Sequence, residues 1–338
     1  MLTFEEALAR SDEVHKKRHL LLGNGFSIAA RPESFRYGRL LEEADLTTLS
    51  VPGADLFASE GTSNFEGVIR ALRTTSRMVD FYKTRDRGLA KRLADDAERL
   101  KEILAATLAS KHPDYVGAIS DEEYQAVRGF LGHFERFFTL NYDLLLYWAL
   151  LQDLEPKLRH DDGFRNDPDD PDAPWVAWND YNQYGQTVYF VHGGLHLYAD
   201  GATLRKLTFK RTDIPLMDQI RAQLDDGVFP LIVTEGTSEE KHAAILHHGY
   251  LAKSLRALTS CEGSLFVHGH SLDPNDQHVF RGIVEGKFKA IFVSLHGRPG
   301  SQSNKAIRSA AETLAAARPE KKPLMAEFYD ADSAAVWG

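Results

Sequence analysis

The chain has 338 residues, with 40 Lys and Arg against 49 Asp and Glu, a formal net charge of −9, and 43% hydrophobic residues. At roughly 150 residues per domain this length suits about two domains, or one α/β domain with a large insertion, and the composition excludes a disordered or fibrous chain. The acidic balance, with no basic tract, excludes a nucleic-acid backbone as the main partner because phosphate binding rests on clustered Lys and Arg; free nucleotides stay open.

Cys261 is the single cysteine, so one chain can build neither an internal disulfide nor a four-Cys zinc site. Glu5, Glu6, Asp12 and Glu13 precede the first apolar run, an order unlike that of a secretory signal, and no apolar run approaches the roughly 20 residues of a membrane span. A reduced, cytoplasmic location without membrane partners is expected.

Helical spacing opens the chain, and Leu20-Leu21-Leu22 then forms a short apolar run stopped by Gly23, which predicts a buried strand entering a tight turn. From Asn64 the apolar spacing turns helical again. Phe65, Val68, Ile69 and Leu72 share one face, as do Leu89, Leu93, Ala97, Leu100 and Leu104, so 64–132 reads as a helical insertion. Its amphipathic helices either pack on the core or form an oligomer contact, the first being expected. Phe137 to Leu140 predicts a second strand, followed by an apolar helix through Leu144, Leu145, Trp148 and Leu151. The Asp- and Pro-rich stretch from Asp161 to Asp172 predicts an exposed loop without calcium-loop spacing. Hairpin-like material follows at Val188 to Val191, with Asp200-Gly201 offering a turn before Leu204.

The last third alternates strand and helix. Strands are predicted at Leu231 to Val233, Leu265 to Val267, Ile291 to Val293 and Leu324 to Tyr329, and helices through Ile245 and Leu255, near Val279, and over Ala306 to Ala316. Such alternation predicts right-handed crossovers and a parallel sheet. The expected fold is α/β, a Rossmann-like doubly wound, mainly parallel sheet forming one domain over 1–338 with the helical insertion inside it.

Four polar turns are candidate sites. Gly23-Asn24-Gly25-Phe26-Ser27 lies where a strand should meet a helix, a place where glycines let backbone N–H groups approach phosphate. The dehydrogenase fingerprint is incomplete, because position 28 is Ile28 and Glu42 and Glu43 lie in a helix-like stretch. The turn also reads as a simple strand-to-helix connection. Thr139-Leu140-Asn141-Tyr142-Asp143 is either a ligand turn or a helix start, since Asn and Asp cap well. His192-Gly193-Gly194-Leu195-His196 has two histidines four apart, but the glycines oppose a helix and no H-E-x-x-H pattern is present, so a catalytic or structural histidine is favoured over a metal ligand. Gly269-His270-Ser271-Leu272-Asp273, with Asp276 and His278 beyond it, suits a phosphate or ribose oxygen. All four follow apolar runs and are expected to line one cleft at the strands' carboxyl ends.

In this order the four motifs resemble a sirtuin-like domain, and most closely its bacterial branch whose members hydrolyse NAD in anti-phage defence, over about residues 18 to 295. The resemblance implies that Gly23, Asn24, Gly25 and Ser27 bind the dinucleotide, that Asn141 and His192 are catalytic, that Asp143 lies near the nicotinamide pocket, and that Gly269 and Ser271 hold ribose and phosphate. The deacylases of the family carry a four-Cys zinc module and an acidic-Phe-Arg loop. Cys261 cannot supply the first, and Phe35-Arg36 matches the second only loosely, so the resemblance favours a hydrolase over a deacylase.

That reading takes NAD as substrate and no metal, and it admits a homo-oligomer or a defence-system partner. Asn141 is expected to orient water or ribose hydroxyls, His192 to act as general base, and a side chain at position 25 to block the pyrophosphate. A zinc-free deacylase and a non-enzymatic NAD or ADP-ribose sensor are the alternatives.

Overall fold

The computed structural model describes residues 1–82, 86, 88–179, 185–201, 203–234 and 237–338. Its strands are β1 Arg18–Leu22, β2 Arg136–Thr139, β3 Phe164–Asn166, β4 Trp175–Trp178, β5 Val188–Phe190, β6 Leu197–Asp200, β7 Thr203–Leu207, β8 Glu262–His268, β9 Lys287–Leu295 and β10 Met325–Asp330. Six of them form one sheet in the order β10-β9-β8-β1-β2-β5, with every neighbouring pair parallel. The chain lays β1, β2 and β5 outward to one side, returns to the centre, and lays β8, β9 and β10 to the other. This is the Rossmann order, and its switch point lies between β1 and β8.

The strands are continuous apolar runs because helices flank this sheet: Leu20 to Leu22, Phe137 and Phe138, Val188 to Phe190, Leu265 to Val267 and Ile291 to Val293 are all buried. Helices Phe65–Phe81 and Leu89–Lys111 bury the predicted stripes, including Val68, Ile69, Leu72, Leu100 and Leu104, in the same core as the sheet. A capping box on Ser120 and Glu123 starts helix Asp121–Leu131, which leads into β2. Among the described residues, no helix is long and apolar enough to cross a membrane.

Three sequence expectations are corrected. The Asp161 to Asp172 stretch contains β3, the edge of a second, antiparallel sheet ordered β3-β4-β7-β6. Its first two acids are recruited: Asp161 pairs with Arg165, and Asp162 with the buried Lys206, while Asp169, Asp170 and Asp172 are exposed in the turn that follows, as expected. The Val188 to Val191 run is a parallel strand on β2 rather than hairpin material. Leu231 to Val233 makes only an isolated bridge to Gly193, because its backbone serves to pin the turn after β5.

Candidate active site

The turns after β1 and β8 meet at the switch point with backbone against backbone. Gly23 N–H donates to His268 O at 3.0 Å and Gly25 N–H to Gly269 O at 2.8 Å. A Cβ on Gly25 would stand 2.6 Å from Gly269 Cα, and one on Gly269, whose φ is +71°, would stand 2.5 Å from Phe26 N. Glycine is required at position 25 by the neighbouring turn, before any ligand is considered, and the N–H groups of Gly23 and Gly25 are engaged by that turn. Asn24 Nδ2 donates to Phe35 O at 3.0 Å, which fixes the segment that follows.

The turn after β2 is tied to the first by side chains. Asn141 Nδ2 donates to Gly23 O at 3.1 Å and to Ser27 Oγ at 2.9 Å, and the Ser27 hydroxyl donates in turn to Asp143 Oδ2 at 2.5 Å. Gly23 O can only accept, so the nitrogen of the amide must face it, and Oδ1 is left to the cavity that Asn141 lines. Burial raises the pKa of Asp143, partly offset by the bonds from Ser27 and Leu145 N–H. Ser27 is wholly buried and does not line the cavity, so it stands behind Asn141 instead of facing a ligand.

The turn after β5 delivers His192. Gly193 has φ +80° and lies so close to Leu231 O that a Cβ would stand 1.9 Å from it, while Val233 N–H donates to His192 O at 2.9 Å. Behind His192, its Nε2 lies 2.9 Å from His278 Nε2, and Asp276 Oδ1 lies 3.9 Å away. Burial holds the pKa of His192 well below the usual histidine range, with Asp276 only partly offsetting it, and holds that of His278 at about 3. Asp276 sits in the single turn Pro274–Asp276, which Asp273 caps by accepting from Asn275 N–H. Its Oδ2 accepts from His270 Nε2 at 3.0 Å, and Oδ1 from Lys241 Nζ at 2.9 Å. His270 Nδ1 accepts from Leu272 N–H, so its proton is on Nε2.

Lys241 also donates to Glu66 Oε2 at 2.6 Å, and Glu66 Oε1 lies 2.8 Å from the Tyr142 hydroxyl. Burial disfavours the ammonium of Lys241, yet the two facing carboxylates outweigh it and raise its pKa. Burial likewise pushes the Asp276 carboxyl up, but the His270 bond and Lys241 hold it well below the usual range. Two carboxylates thus share one ammonium, which leaves an excess of negative charge at the wall of the site. Glu66 is placed by Asn64, whose side chain caps helix Phe65–Phe81.

All of these turns border one cavity of about 950 Å³, within the range of sites that enclose small molecules and cofactors. Gly23, Asn24, Gly25, Asn141, Asp143, His192, Gly269 and Ser271 line it, as do Glu66, Tyr142, His270 and Asp276. Phe35 and Arg36 line it too, whereas His196 is buried away from it against Tyr147 and Phe190. Sequence reasoning missed Glu66 and Lys241, single charges on helices with no local motif. Asn64 before Glu66 was the one readable signal, a cap that fixes where that helix begins. Among the described residues, His192, Asp276 and His278 form the one trio whose ligand atoms lie within 4.8 Å of one another, as metal ligands would. Lys241 already holds the carboxylate, and the two rings bond each other.

The chain belongs to the DUF4917 family. Its family model, described as a domain of unknown function, matches residues 20–337. No curated protein matches the chain. Among solved structures it is similar to a serine-to-alanine mutant of a Sir2 homologue in complex with ADP-ribose, at 13% identity and a TM-score of 0.32, over 92% of this chain and 97% of that one. A likeness at that score carries no argument about ligand or chemistry, and the fold stands on the strand order itself.

Proposed function

We propose that this chain hydrolyses NAD at the nicotinamide–ribose bond, releasing nicotinamide and ADP-ribose. The observation that supports this reading is the convergence of four sequence-separated turns, after β1, β2, β5 and β8, on one cavity at the switch point of a sheet in dinucleotide-binding order.

The bond from ribose C1′ to the nicotinamide nitrogen breaks with its electron pair leaving on nicotinamide. Water then adds to C1′ and its proton passes to the surrounding water, so that NAD and water give nicotinamide, ADP-ribose and one proton. Positive charge builds on the ribose as the bond breaks, so the groups that accelerate the step are those that favour a cationic sugar and place the water. Asn141 Oδ1, held by the two bonds from its own nitrogen, accepts from a ribose hydroxyl or from the water. Glu66 and Asp276, with one ammonium between them, supply the negative wall. His192 is the second polar group offered to the substrate, and Ser271 and Gly269 border the end assigned to ribose and phosphate. The resemblance to anti-phage NAD hydrolases suggests depletion of NAD as the biological role.

Pure protein incubated with NAD is expected to yield nicotinamide and ADP-ribose by chromatography. Asn141→Ala and His192→Ala should each lower the rate by on the order of a hundredfold or more, the usual scale for a lost orienting or proton-handling group. Release that requires an acylated peptide would favour a deacylase, and a melting shift with NAD but no turnover would favour a sensor.

A further inference from the structure

We propose that His278, clamped by Ser238, fixes the tautomer of His192 so that His192 meets the substrate as a neutral N–H donor at Nδ1 and not as a general base. This deepens the reading above and rests on it for its kinetic consequence, while the tautomer itself does not.

Ser238 opens helix Ser238–His247, one residue after the Thr237 cap. Its Oγ accepts the backbone N–H of His278 at 2.7 Å and lies 3.2 Å from His278 Nδ1. The hydroxyl has one proton, and among the described residues His278 Nδ1 is the acceptor in reach of it. Serine therefore donates to Nδ1, which must be bare. A neutral His278 then carries its proton on Nε2 and donates it to His192 Nε2 across 2.9 Å. His192 accepts there and holds its own proton on Nδ1, the ring nitrogen that His278 does not occupy.

The reverse assignment has Ser238 Oγ accept two N–H groups and give up the one side-chain acceptor within its reach, Nδ1, so that its proton turns outward; the Asn275 carbonyl, which also faces the ring, is what that assignment would draw on, and the spectra below decide between the two. Two protonated rings cannot face each other across one hydrogen bond, and burial keeps both neutral. The titratable groups packed around the pair are Asp276, Lys241, His242 and His270. The first two are bonded to each other, and both ring nitrogens of His270 are engaged, by Asp276 and by Leu272 N–H.

His192 lines the cavity and His278 does not, so His278 and Ser238 are positioning residues. A donor at Nδ1 can hold a ribose hydroxyl or the nicotinamide carbonyl but cannot take the proton released from water.

The test has two arms. In protein labelled with ¹⁵N in the histidine rings, long-range proton–nitrogen spectra near neutral pH should show His192 as the Nδ1–H tautomer and His278 as the Nε2–H tautomer, assigned by loss of the signals in His192→Asn and His278→Asn. Finding His192 protonated on Nε2 would overturn the proposal. In the kinetic arm, asparagine, whose amide nitrogen reaches about where Nδ1 stands, should make His192→Asn at least tenfold more active than His192→Ala. Ser238→Ala should lower kcat several-fold with little change in KM. Equal loss in His192→Asn and His192→Ala would assign a base and overturn it. If wild-type protein releases no nicotinamide, the hydrolase reading fails, and the spectra still decide the tautomer.

Discussion

Asn141 spends both amide protons inside the protein, on Gly23 O and Ser27 Oγ, and this decides what substitutions there will do. Asn141→Ala removes two bonds at about 1 kcal/mol each. Asn141→Asp is the harsher change despite its shape, because it sets a carboxylate oxygen against the carbonyl of Gly23 with no proton between them. Chemical unfolding should rank the aspartate variant below the alanine variant by about 1–3 kcal/mol, and the reverse ranking would mean that the amide is turned the other way. Lys241 poses the opposite problem, a buried cation needed to keep the buried Asp276 and the part-buried Glu66. Lys241→Met should cost about 3–5 kcal/mol in the same measurement, the usual result of stranding buried charge, and a loss below about 1 kcal/mol would show that Glu66 and Asp276 find another partner. The same lysine bears on metals. A divalent ion at His192, Asp276 and His278 would have to displace it and break the histidine pair, so dialysis against a chelator should leave melting and turnover unchanged, and stoichiometric zinc in the purified protein would contradict this.

At the level of elements, the turn after β1 and the turn after β8 act as one unit. Gly25→Ala drives a methyl into the backbone of Gly269, a neighbour that cannot swing aside, and a destabilisation of about 1–3 kcal/mol or more is expected. The control is Gly38→Ala in helix Tyr37–Glu43, where a Cβ has open space and should be neutral or stabilising by up to about 1 kcal/mol. Similar melting temperatures for both variants would remove turn-to-turn packing as the reason for glycine at position 25. The strands that bear the site were legible because buried parallel strands are apolar runs ended by polar turns, and Leu20 to Leu22 followed by Gly23 says as much without any partner in view. The small antiparallel sheet was not legible. β3 and β4 are short, and the acids beside β3 look solvent-bound until Lys206, on β7, is brought to Asp162. For the same reason Glu66 and Lys241 gave no local signal, since their meaning arises only when the helices that carry them are packed together.

Across the whole molecule, the histidines carry a pH dependence that the net charge of −9 does not suggest. Burial holds the pKa of His19, His112 and His268 at about 4 and that of His278 at about 3, against an ordinary value of 6.5, and pushes His192 and His196 down as well. His112 shows why protonation is resisted: Nδ1 faces Pro113 O at 2.9 Å and must be the donor, while Nε2 accepts Leu144 N–H at 3.0 Å and has no room for a proton. When the chain unfolds, these rings become free to protonate below pH 6.5, whereas the folded chain cannot take the protons until about pH 4. The unfolded state therefore binds more protons throughout that window, and stability, complete above 6.5, falls as the pH is lowered toward 4. Glu123, held at about 2 by Arg31, has its own window below its ordinary value of 4.5 and leaves the upper part of the histidine range clear. Urea unfolding at pH 7.5, 6.0 and 5.0 is expected to show a plateau near the first value and a steepening loss toward the last, with several protons taken up per molecule unfolded. A flat profile between pH 7 and 5 would mean that these histidines already protonate in the folded chain, which the bonds at His112 do not allow.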